Sequence, residues 1–267
     1  MIVLYTKGGL CNRMRAIDSA LAVSRKTDHK LLIIWPLDSD LNCRFEELFI
    51  PLENTSVINS RLSKTAFKII QKAFSFLEFI PSLKTINDTQ INQMGLNKFR
   101  SRICSMVAES RFFLISSMNR LYSEHEKYES MKPNREISER IEKETVKFDA
   151  HTIGLHIRRT DNTISIEKSP LSLFENAMEQ EIEKDPQANF YIASDCVETK
   201  KHLSGKFHGK VITNFSPSSR DSQEGVKQAM TELYALSKTR KVYGSYWSSF
   251  SRTAHEITSI EGITLEK

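Results

Sequence analysis

The sequence predicts an α/β protein whose parallel strands lie in sheets that are covered by helices on both faces. Apolar stretches of about four to six residues are each followed by a stretch of helical periodicity, which is typical of such sheets. A long basic stretch, from about 61 to 148 and predicted to be helical, divides the chain into two α/β halves, although the pattern alone also allows one continuous sheet. The length of 267 residues suits one large domain or two small ones.

The first half begins with a strand followed by a helix. Met14, Ile17 and Leu21 recur at the spacing of one helical face, and Pro36 ends the strand that follows. The predicted elements of this half are a strand at 2–6, a helix at 12–26, strands at 31–35 and 56–59, and a helix at 65–80.

The second half repeats the alternation. It begins with a charged helix that has Ile137, Ile141 and Val146 on its apolar side. The loop at 215–224 is polar and is predicted to be mobile. The predicted elements are a helix at 135–147, a strand at 152–157, a helix at 171–184, strands at 190–193 and 211–213, a helix at 225–236, a strand at 241–244 and a helix at 249–257.

Composition excludes several classes of protein. Hydrophobic residues make up 39% of the chain and charged residues 27%, so we expect a packed core rather than disorder. No apolar run approaches the ~20 residues of a membrane helix, and the first residues are expected to start a strand rather than a signal peptide. The four cysteines form no CxxC pair and are predicted to be reduced thiols in a cytoplasmic protein. The seven histidines show no zinc-binding spacing.

Positive charge is concentrated in one region. Residues 60–132 contain 12 Lys and Arg against six Asp and Glu. Such an excess is typical of a solvated surface, but it also suits an anionic partner such as a membrane. The predicted helix at 65–80 is basic and amphipathic, so it either packs on the core with its lysines extended into solvent or lies on a membrane surface.

A glycine loop joins the first strand to the first helix. Gly8 and Gly9 allow the backbone to approach a ligand closely, and the helix start that follows offers free N–H groups to an anion. The spacing is neither GxGxxG nor that of a Walker loop. The alternative is a simple strand–helix turn in which Asn12 caps the helix.

Two arginines follow the strand at 152–157. His156 and Arg158 share a face of this strand, at the carboxyl end where ligands of parallel sheets gather. Arg158 and Arg159 are costly to bury unless an anion meets them, and the guanidinium fork suits a phosphate. The alternative is that an arginine pairs with a carboxylate such as Asp161 or Asp195.

Two later segments end strands with polar residues. Asp195 follows an apolar strand, where an acid either caps a helix or accepts hydrogen bonds from a nucleoside. Ser248, Ser249 and Ser251 open the last predicted helix and add hydroxyl groups to its free N–H groups, which suits an anion, although ordinary serine capping is the alternative.

The tripeptide Asp38-Ser39-Asp40 is a DxD sequence, which in one class of transferases holds a metal-bound nucleotide sugar. Here it follows Trp35-Pro36 and precedes a predicted helix. We therefore predict that these aspartates cap a helix.

Taken together, the four segments resemble the fucosyltransferase superfamily, which includes core α-fucosylating, Nod-factor, bacterial and protein O-fucosylating enzymes. The order matches: a Gly-Gly-x-x-Asn loop, HxRRTD from His156 to Asp161, a strand ending in Ser194-Asp195, and LS…SSFS-x-x-A from Leu236 to Ala254. These segments cover about a quarter of the chain. Residues 36–150 are not securely matched.

The resemblance implies a GT-B fold, in which two Rossmann-like domains face a central cleft. It also implies an inverting mechanism with GDP-fucose as donor and no required metal or cofactor. On this chain it implies that Arg158 is the catalytic residue and binds the β-phosphate. It implies further donor contacts from Gly8, Gly9, Asn12, His156, Arg159, Asp195, Ser248, Ser249 and Ser251.

The resemblance implies an acceptor-side domain over 1–148 and a donor domain over 149–267. The chain is shorter than the eukaryotic relatives, which points to a cytoplasmic, bacterial enzyme without a membrane anchor. Its expected partners are a GDP-sugar and a glycan acceptor, for which a lipid-linked glycan is one alternative. Residues 60–132 are expected to contact the inner face of the membrane. No nucleic-acid motif is present, so no such partner is expected.

Several points stay open at this stage. The same fold serves transferases that use another nucleotide sugar, and a relative without activity would bind nucleotide or glycan only. Glu232 stands near the position of an acid in relatives. Asp18, Asp38 and Glu46 are the candidates for the general base, and the sequence does not rank them.

Overall fold

Each half of the chain folds around its own parallel sheet of five strands. The structure is a computed structural model and describes residues 1–61, 64–75, 82–122, 127–160, 162–216 and 218–267. Two compact units are distinguished: Met1–Asn134 with Arg220–Gln223, and Arg135–Ser219 with Glu224–Lys267. The predicted α/β class with parallel sheets is confirmed.

The first unit is built on a sheet with the strand order β3-β2-β1-β5-β4. In the centre, Ile2 of β1 pairs with Leu31 of β2 on one side and with Phe113 of β5 on the other. The elements are β1 (Ile2–Thr6), α1 (Leu10–Thr27), β2 (Leu31–Pro36), a 3₁₀ helix (Phe45–Glu47), β3 (Thr55–Ser60), α2 (Lys64–Ser75), β4 (Leu83–Asn87), α3 (Asp88–Met94), α4 (Leu96–Ala108) and β5 (Phe112–Ser117).

The prediction of a long basic helical stretch over 61–148 was wrong, because residues 83–117 supply two strands of the first sheet. Phe113 and Ile115 are buried beside β1. This pairing is with a strand more than a hundred residues earlier, so local periodicity does not reveal it. The helix predicted at 65–80 is found as Lys64–Ser75, and residues 76–80 lie outside the described part.

The second unit has the strand order β10-β9-β6-β7-β8. All residues of its central strand β6 are buried, and Ile153, Leu155 and Ile157 pack in a core with Phe174 and Phe190. The elements are α5 (Arg135–Thr145), β6 (Thr152–Ile157), α6 (Thr163–Lys168), α7 (Leu171–Lys184), β7 (Asn189–Ser194), α8 (Val197–Lys206), β8 (Val211–Ile212), α9 (Gln223–Ser237), β9 (Lys241–Ser245), α10 (Ser249–Thr258) and β10 (Glu261–Leu265).

Side-chain contacts of α5 place the boundary between the units before this helix rather than at the predicted 148/149. Arg140 pairs with Glu224, and Lys227 Nζ lies 2.6 Å from Glu136 Oε2. Helix α5 therefore packs within the second unit, which begins at residue 135. The assignment of acceptor and donor roles to the two units stays a prediction.

The loop predicted to be mobile at 215–224 is fixed in part. The backbone N–H of Asn42 donates to the carbonyl of Arg220 at 3.0 Å, and Gln223 Nε2 lies 2.7 Å from Glu47 Oε2. Residue 217 lies outside the described part. The segment Arg220–Gln223 belongs to the first unit although its neighbours in sequence belong to the second.

Three further findings bear on function. Within the described ranges, no helix is both long enough and apolar enough to cross a bilayer. In that same part of the chain, no three His, Cys, Asp or Glu side chains gather in a way that could hold a metal ion. The four cysteines are free thiols.

Candidate active site

The carboxyl ends of β6, β7 and β9 bring three of the four predicted segments together in the second unit. Strand β6 pairs with β7 on one side, His156 opposite Ala193, and with β9 on the other, His156 opposite Gly244. Residues 158–160, Asp195 and the start of α10 therefore follow three adjacent strands, at the edge where parallel sheets bind ligands.

Arg158 is half-buried and its backbone is fixed by the neighbouring strand. Its N–H donates to Ser245 Oγ at 3.0 Å, and Ser245 Oγ donates in turn to the carbonyl of His156 at 3.4 Å. Sequence reasoning missed Ser245, although its position at the end of a strand directly before the serine motif could have indicated it.

Asp195 holds the backbone of residues 158–160, which we call the arginine loop. Its Oδ1 accepts from the Arg159 N–H at 2.7 Å, and its Oδ2 accepts from the Thr160 hydroxyl at 2.7 Å and the Thr160 N–H at 3.3 Å. The carboxylate thus bonds the main chain of the motif. Its predicted contact with the nucleoside stays a prediction, and Asp161 lies outside the described residues.

Arg159 has a buried hydrogen-bond donor that no described residue pairs with. Its Nη1 donates to the Arg158 carbonyl at 3.1 Å, and its guanidinium carbon lies 5.8 Å from the ring centre of Phe174. Among the described residues, no hydrogen-bond acceptor meets its buried Nη2. Burial lowers the pKa of Arg159, which Asp195 partly offsets. A buried donor of this kind is costly unless an acceptor reaches it.

His156 is neutral in this setting. Its ring is buried and stacks on Phe250 with 4.6 Å between the ring centres, and its Nδ1 lies 3.2 Å from Ser248 Oγ. Burial lowers the pKa of His156 to about 4, with Asp195 opposing the shift and Arg158 adding to it. At neutral pH the imidazole therefore acts as a hydrogen-bonding and packing group rather than as a cation.

The start of α10 lies close against β9. Ser248 is the N-cap residue, and its Oγ accepts from the Phe250 N–H at 3.3 Å. Gly244 permits the close approach, because a Cβ there would lie 2.2 Å from Ser251 Oγ. Ser249 is the first residue of the helix. Just before the cap, Trp247 is 69% exposed and has a left-handed backbone with φ of 53°.

The glycine loop of the first unit leads into α1 without a side-chain cap from Asn12. The N-cap of α1 is Gly9, without a side-chain cap bond, and Asn12 lies inside the helix, so the expectation that Asn12 caps it was wrong. Gly8 has φ of +74°, and a Cβ there would lie 2.9 Å from Asn12 Nδ2. The predicted donor contacts of Gly8, Gly9 and Asn12 stay a prediction.

Arg13, to which the sequence analysis gave no role, organises this loop. It is fully buried, its Nε donates to the Gly8 carbonyl at 2.7 Å, and its Nη2 lies 2.8 Å from Asp38 Oδ1. The guanidinium also lies over the Trp35 ring at 5.0 Å from its centre. From the sequence, an arginine four residues after Gly-Gly, in the first turns of a helix, could not be distinguished from an exposed one.

Asp38 caps a turn rather than a helix, so the capping prediction was wrong in detail. Its Oδ1 accepts from the N–H groups of Asp40 and Leu41 at 3.0 and 3.2 Å, in addition to Arg13. Its Oδ1 is therefore bound to an arginine and a turn, whereas no described residue forms a hydrogen bond with its buried Oδ2.

A cavity of about 580 Å³ opens in the first unit. It lies at the carboxyl ends of β1, β4 and β5 and is lined by side chains of mixed polarity. These include Tyr5, Lys7, Asp40, Phe67, Lys68, Lys72, Thr85, Asn87, Asp88, Thr89, Gln90 and Ser116.

The described chain resembles solved fucosyltransferases along almost its whole length. The NodZ α-1,6-fucosyltransferase soaked with GDP-fucose superposes with a TM-score of 0.65 at 18% identity, covering 96% of this chain and 92% of that one. POFUT1 in complex with GDP-fucose gives 0.56 at 10% identity, covering 99% and 97%. A mutant of Arabidopsis thaliana FUT1 in complex with GDP gives 0.62 at 14% identity, covering 99% and 69%.

The chain has the GT-B fold of the fucosyltransferases. This confirms the predicted fold class. No protein-family model matches the chain, and no curated protein sequence matches it. At these low identities the likeness establishes the fold alone.

Within this fucosyltransferase fold, the three acids named as candidate bases already have partners. Asp18 is buried, bonded to Arg120, and accepts the Tyr128 N–H at 2.8 Å. Asp38 accepts from Arg13 and from the N–H groups of Asp40 and Leu41. Glu46 accepts from Arg44 Nε at 2.6 Å and from Asn59 Nδ2 at 2.7 Å. Their bonding favours structural roles.

Glu232 lies in the interior of the second unit of the fucosyltransferase fold. Its Oε1 lies 2.6 Å from Lys200 Nζ, and the two side chains are 3% and 1% exposed. Burial raises the pKa of Glu232 to about 7 against the opposing effect of Lys200. The contact is with a buried lysine, which indicates a role in stability.

Proposed function

We propose that this chain is an inverting glycosyltransferase that moves fucose from GDP-fucose to a glycan acceptor without a required metal ion. The observation that carries the proposal is the arginine loop at the end of β6, which is held by Ser245 and Asp195 beside the serine-rich start of α10. Solved proteins of the same fold hold GDP-fucose or GDP.

The chemistry requires fixed positive charge near the leaving group. An acceptor hydroxyl attacks the anomeric carbon, its proton leaves, and the bond from that carbon to the diphosphate oxygen breaks with its electron pair going to GDP. In our proposal Arg158 binds the β-phosphate and Arg159 Nη2, which has no protein partner among the described residues, supplies a second donor. Prearranged donors of this kind are worth several kcal/mol in a water-poor site.

The start of α10 supplies neutral donors. Ser249 and Ser251 lie in the first turn, where backbone N–H groups are free of helical partners. In our proposal they bind the diphosphate, while His156 and Ser248, bonded to each other, shape the wall of the site.

The first test replaces Arg158. We expect Arg158→Ala to lower the rate of fucose transfer or of GDP-fucose hydrolysis by about 10²- to 10³-fold, because a charged donor to the leaving phosphate is lost. Arg158→Lys is expected to fall nearly as far, because an ammonium group does not reproduce the guanidinium fork. Turnover is measured as GDP released, and melting temperature checks the fold.

Arg135→Ala is the matched control, because that arginine is 92% exposed and bonds only within its own helix to Glu139 among the described residues. Turnover by Arg158→Ala at the rate of this control would refute the assignment. A thermal-shift series with GDP, UDP and CMP tests the nucleotide independently, since a ligand of the native state raises apparent stability. Stabilisation by UDP rather than GDP would indicate a transferase for another nucleotide sugar, and GDP binding without turnover would indicate a binding protein.

We also infer that the enzyme works in the cytoplasm, at the membrane face, on an acceptor that can be lipid-linked. Helix α2 supports this, because Ile69 is 65% and Ile70 38% exposed beside Lys68 and Lys72. Phe67 of the same helix is buried against Tyr5, with 4.0 Å between the ring centres. Cosedimentation with anionic vesicles measures this contact, and its absence would refute it.

A further inference from the structure

The cavity of the first unit lies where a parallel sheet binds ligands. Tyr5 and Ser116 are the penultimate residues of β1 and β5, and Thr85 and Asn87 lie in the last three residues of β4. All four line the cavity. The carboxyl edge of a parallel sheet is the usual location of a ligand. The volume of the cavity, about 580 Å³, is within the range of small-ligand sites.

Bonds within the wall engage the side-chain oxygens of three of its residues, Asn87, Asp88 and Gln90. Asn87 Oδ1 and Gln90 Oε1 accept each other's backbone N–H at 3.1 and 2.9 Å, which leaves each side chain its amide N–H groups. Asp88 Oδ1 accepts from Ser117 Oγ at 2.6 Å and from Asn119 Nδ2 at 2.9 Å. Asp88 Oδ2 lies 2.5 Å from Lys7 Nζ. Asn87 and Gln90 therefore present their amide N–H groups to a ligand.

Helix α2 adds cations at the exposed side. Lys68 and Lys72 both line the cavity, are exposed, and lie one turn apart on a helix whose sequence contains no acid. Among the described residues, the other charged groups that line the cavity are Asp40, from the loop after β2, and the Lys7–Asp88 pair. The balance of three lysines against two aspartates leaves this site positive.

We propose that this cavity binds the glycosyl acceptor, and that the acceptor carries an anionic group, a carboxylate or a phosphate, which pairs with Lys68 and Lys72. This inference rests on the proposed function, which supplies the need for an acceptor. The neutral donors Thr85, Asn87, Gln90 and Ser116 suit sugar hydroxyls and ring oxygens, and the lysines select the charged sugar over its neutral analogue.

The test compares charged and neutral sugars as ligands of the full chain. Ligand-observed NMR titrations measure the affinities of methyl glucuronide, glucose 1-phosphate and methyl glucoside. The unchanged protein is expected to prefer the two anions by about 3- to 10-fold, the range of one or two solvent-exposed ion pairs. The double variant Lys68→Gln/Lys72→Gln is expected to lose that preference and keep its affinity for methyl glucoside.

Two further variants keep the result interpretable. Lys98→Gln removes an exposed lysine of α4 that does not line the cavity, and it should leave all affinities unchanged. Thr89→Trp, at an exposed position of the cavity wall, should weaken all three sugars. Equal affinity for charged and neutral sugars, or an anion preference that survives the double substitution, would overturn the proposal. The proposal would also be overturned if the double variant Lys68→Gln/Lys72→Gln bound anionic vesicles more weakly but kept all its sugar affinities.

A parallel GDP thermal shift separates the two proposals. If GDP stabilises the chain and the anion preference is absent, the acceptor inference fails and the proposed function stands. If the anion preference is present and neither GDP nor GDP-fucose stabilises the chain, the proposed function fails and the cavity is no acceptor site.

Discussion

At the scale of single residues, the most informative change concerns Asp195. The resemblance assigned it to the nucleoside, whereas its carboxylate bonds the N–H groups of Arg159 and Thr160. These two roles make different predictions. A positioning residue acts on the diphosphate through the arginine loop, and a nucleoside contact acts on guanosine with or without phosphates.

We expect Asp195→Asn to weaken GDP binding by about 10-fold and to leave guanosine binding unchanged. The amide keeps one acceptor for the Arg159 N–H but turns a donor toward the Thr160 hydroxyl and N–H, so the loop that carries Arg158 loses about 1 to 2 kcal/mol of anchoring. Calorimetric titrations with both ligands measure the difference. An equal loss for GDP and guanosine would show that the carboxylate contacts the nucleoside instead.

The buried pair of Lys200 and Glu232 predicts an asymmetry between its two partners. Glu232→Gln leaves a buried ammonium without its carboxylate, which is expected to cost about 3 to 5 kcal/mol of unfolding free energy. Lys200→Met leaves a buried carboxyl group that can take up a proton and become neutral. Its cost therefore depends on pH.

The sign follows from the pKa of Glu232, which burial raises to about 7 in the folded state from 4.5. A raised folded-state pKa of an acid means that the folded chain binds the proton more tightly, so this stability is present below pH 4.5 and is lost as pH rises through about 7. Lys200→Met should consequently be less destabilised at pH 5.5 than at pH 8, as urea denaturation would measure. A cost independent of pH would contradict this account.

At the scale of elements, the contact between β9 and α10 depends on Gly244. An alanine Cβ would lie 2.2 Å from Ser251 Oγ and 2.4 Å from Ser251 Cβ. We expect Gly244→Ala to lower the free energy of unfolding by about 1 to 3 kcal/mol, the usual cost of overpacking. Melting curves or urea titrations provide the measurement.

A double-mutant cycle checks the cause. Ser251→Gly removes both clashing atoms at a cost of about 1 kcal/mol of helix propensity. In that background Gly244→Ala should cost much less than alone, which gives a favourable coupling. If the two costs simply add, the clash is not with Ser251 and the close packing of strand and helix has another origin.

Elements with strong local patterns could be predicted from the sequence, and elements defined by distant partners could not. Strand β6 was predicted with its observed bounds, because an apolar run between a charged helix and a polar motif leaves little choice. Strand β10 was missed, because it lies at the edge of its sheet with largely exposed residues and has no apolar run. Strand β4, which mixes polar and apolar residues (LKTIN) at the edge of the first sheet, was likewise missed. Strand β5 beside the central β1 was also missed, although Phe112–Ile115 is an apolar run.

At the scale of the whole molecule, the division into two α/β units could be predicted, while its boundaries could not. Charge alternation along α5 looks like that of an ordinary solvated helix, and its contacts with residues far away in sequence join it to the second unit. They include ion pairs with Glu224 and Lys227 and a hydrogen bond from Tyr191 to Glu144. The candidate site shows the same limit. Its motif residues could be named from order and spacing, but Ser245 and Arg13, which hold the loops through backbone atoms, belong to no motif.

The segment Arg220–Gln223 has a practical consequence for anyone who wishes to cut this protein in two. The polypeptide leaves the second unit after Ser219, contributes four residues to the first, and returns at Glu224. A single cut near residue 134 would leave these four residues on the fragment that contains the second unit. Asn42 would then lose the Arg220 carbonyl to which its N–H donates. A truncated protein that contains the second unit alone should therefore have a short linker in place of Arg220–Gln223.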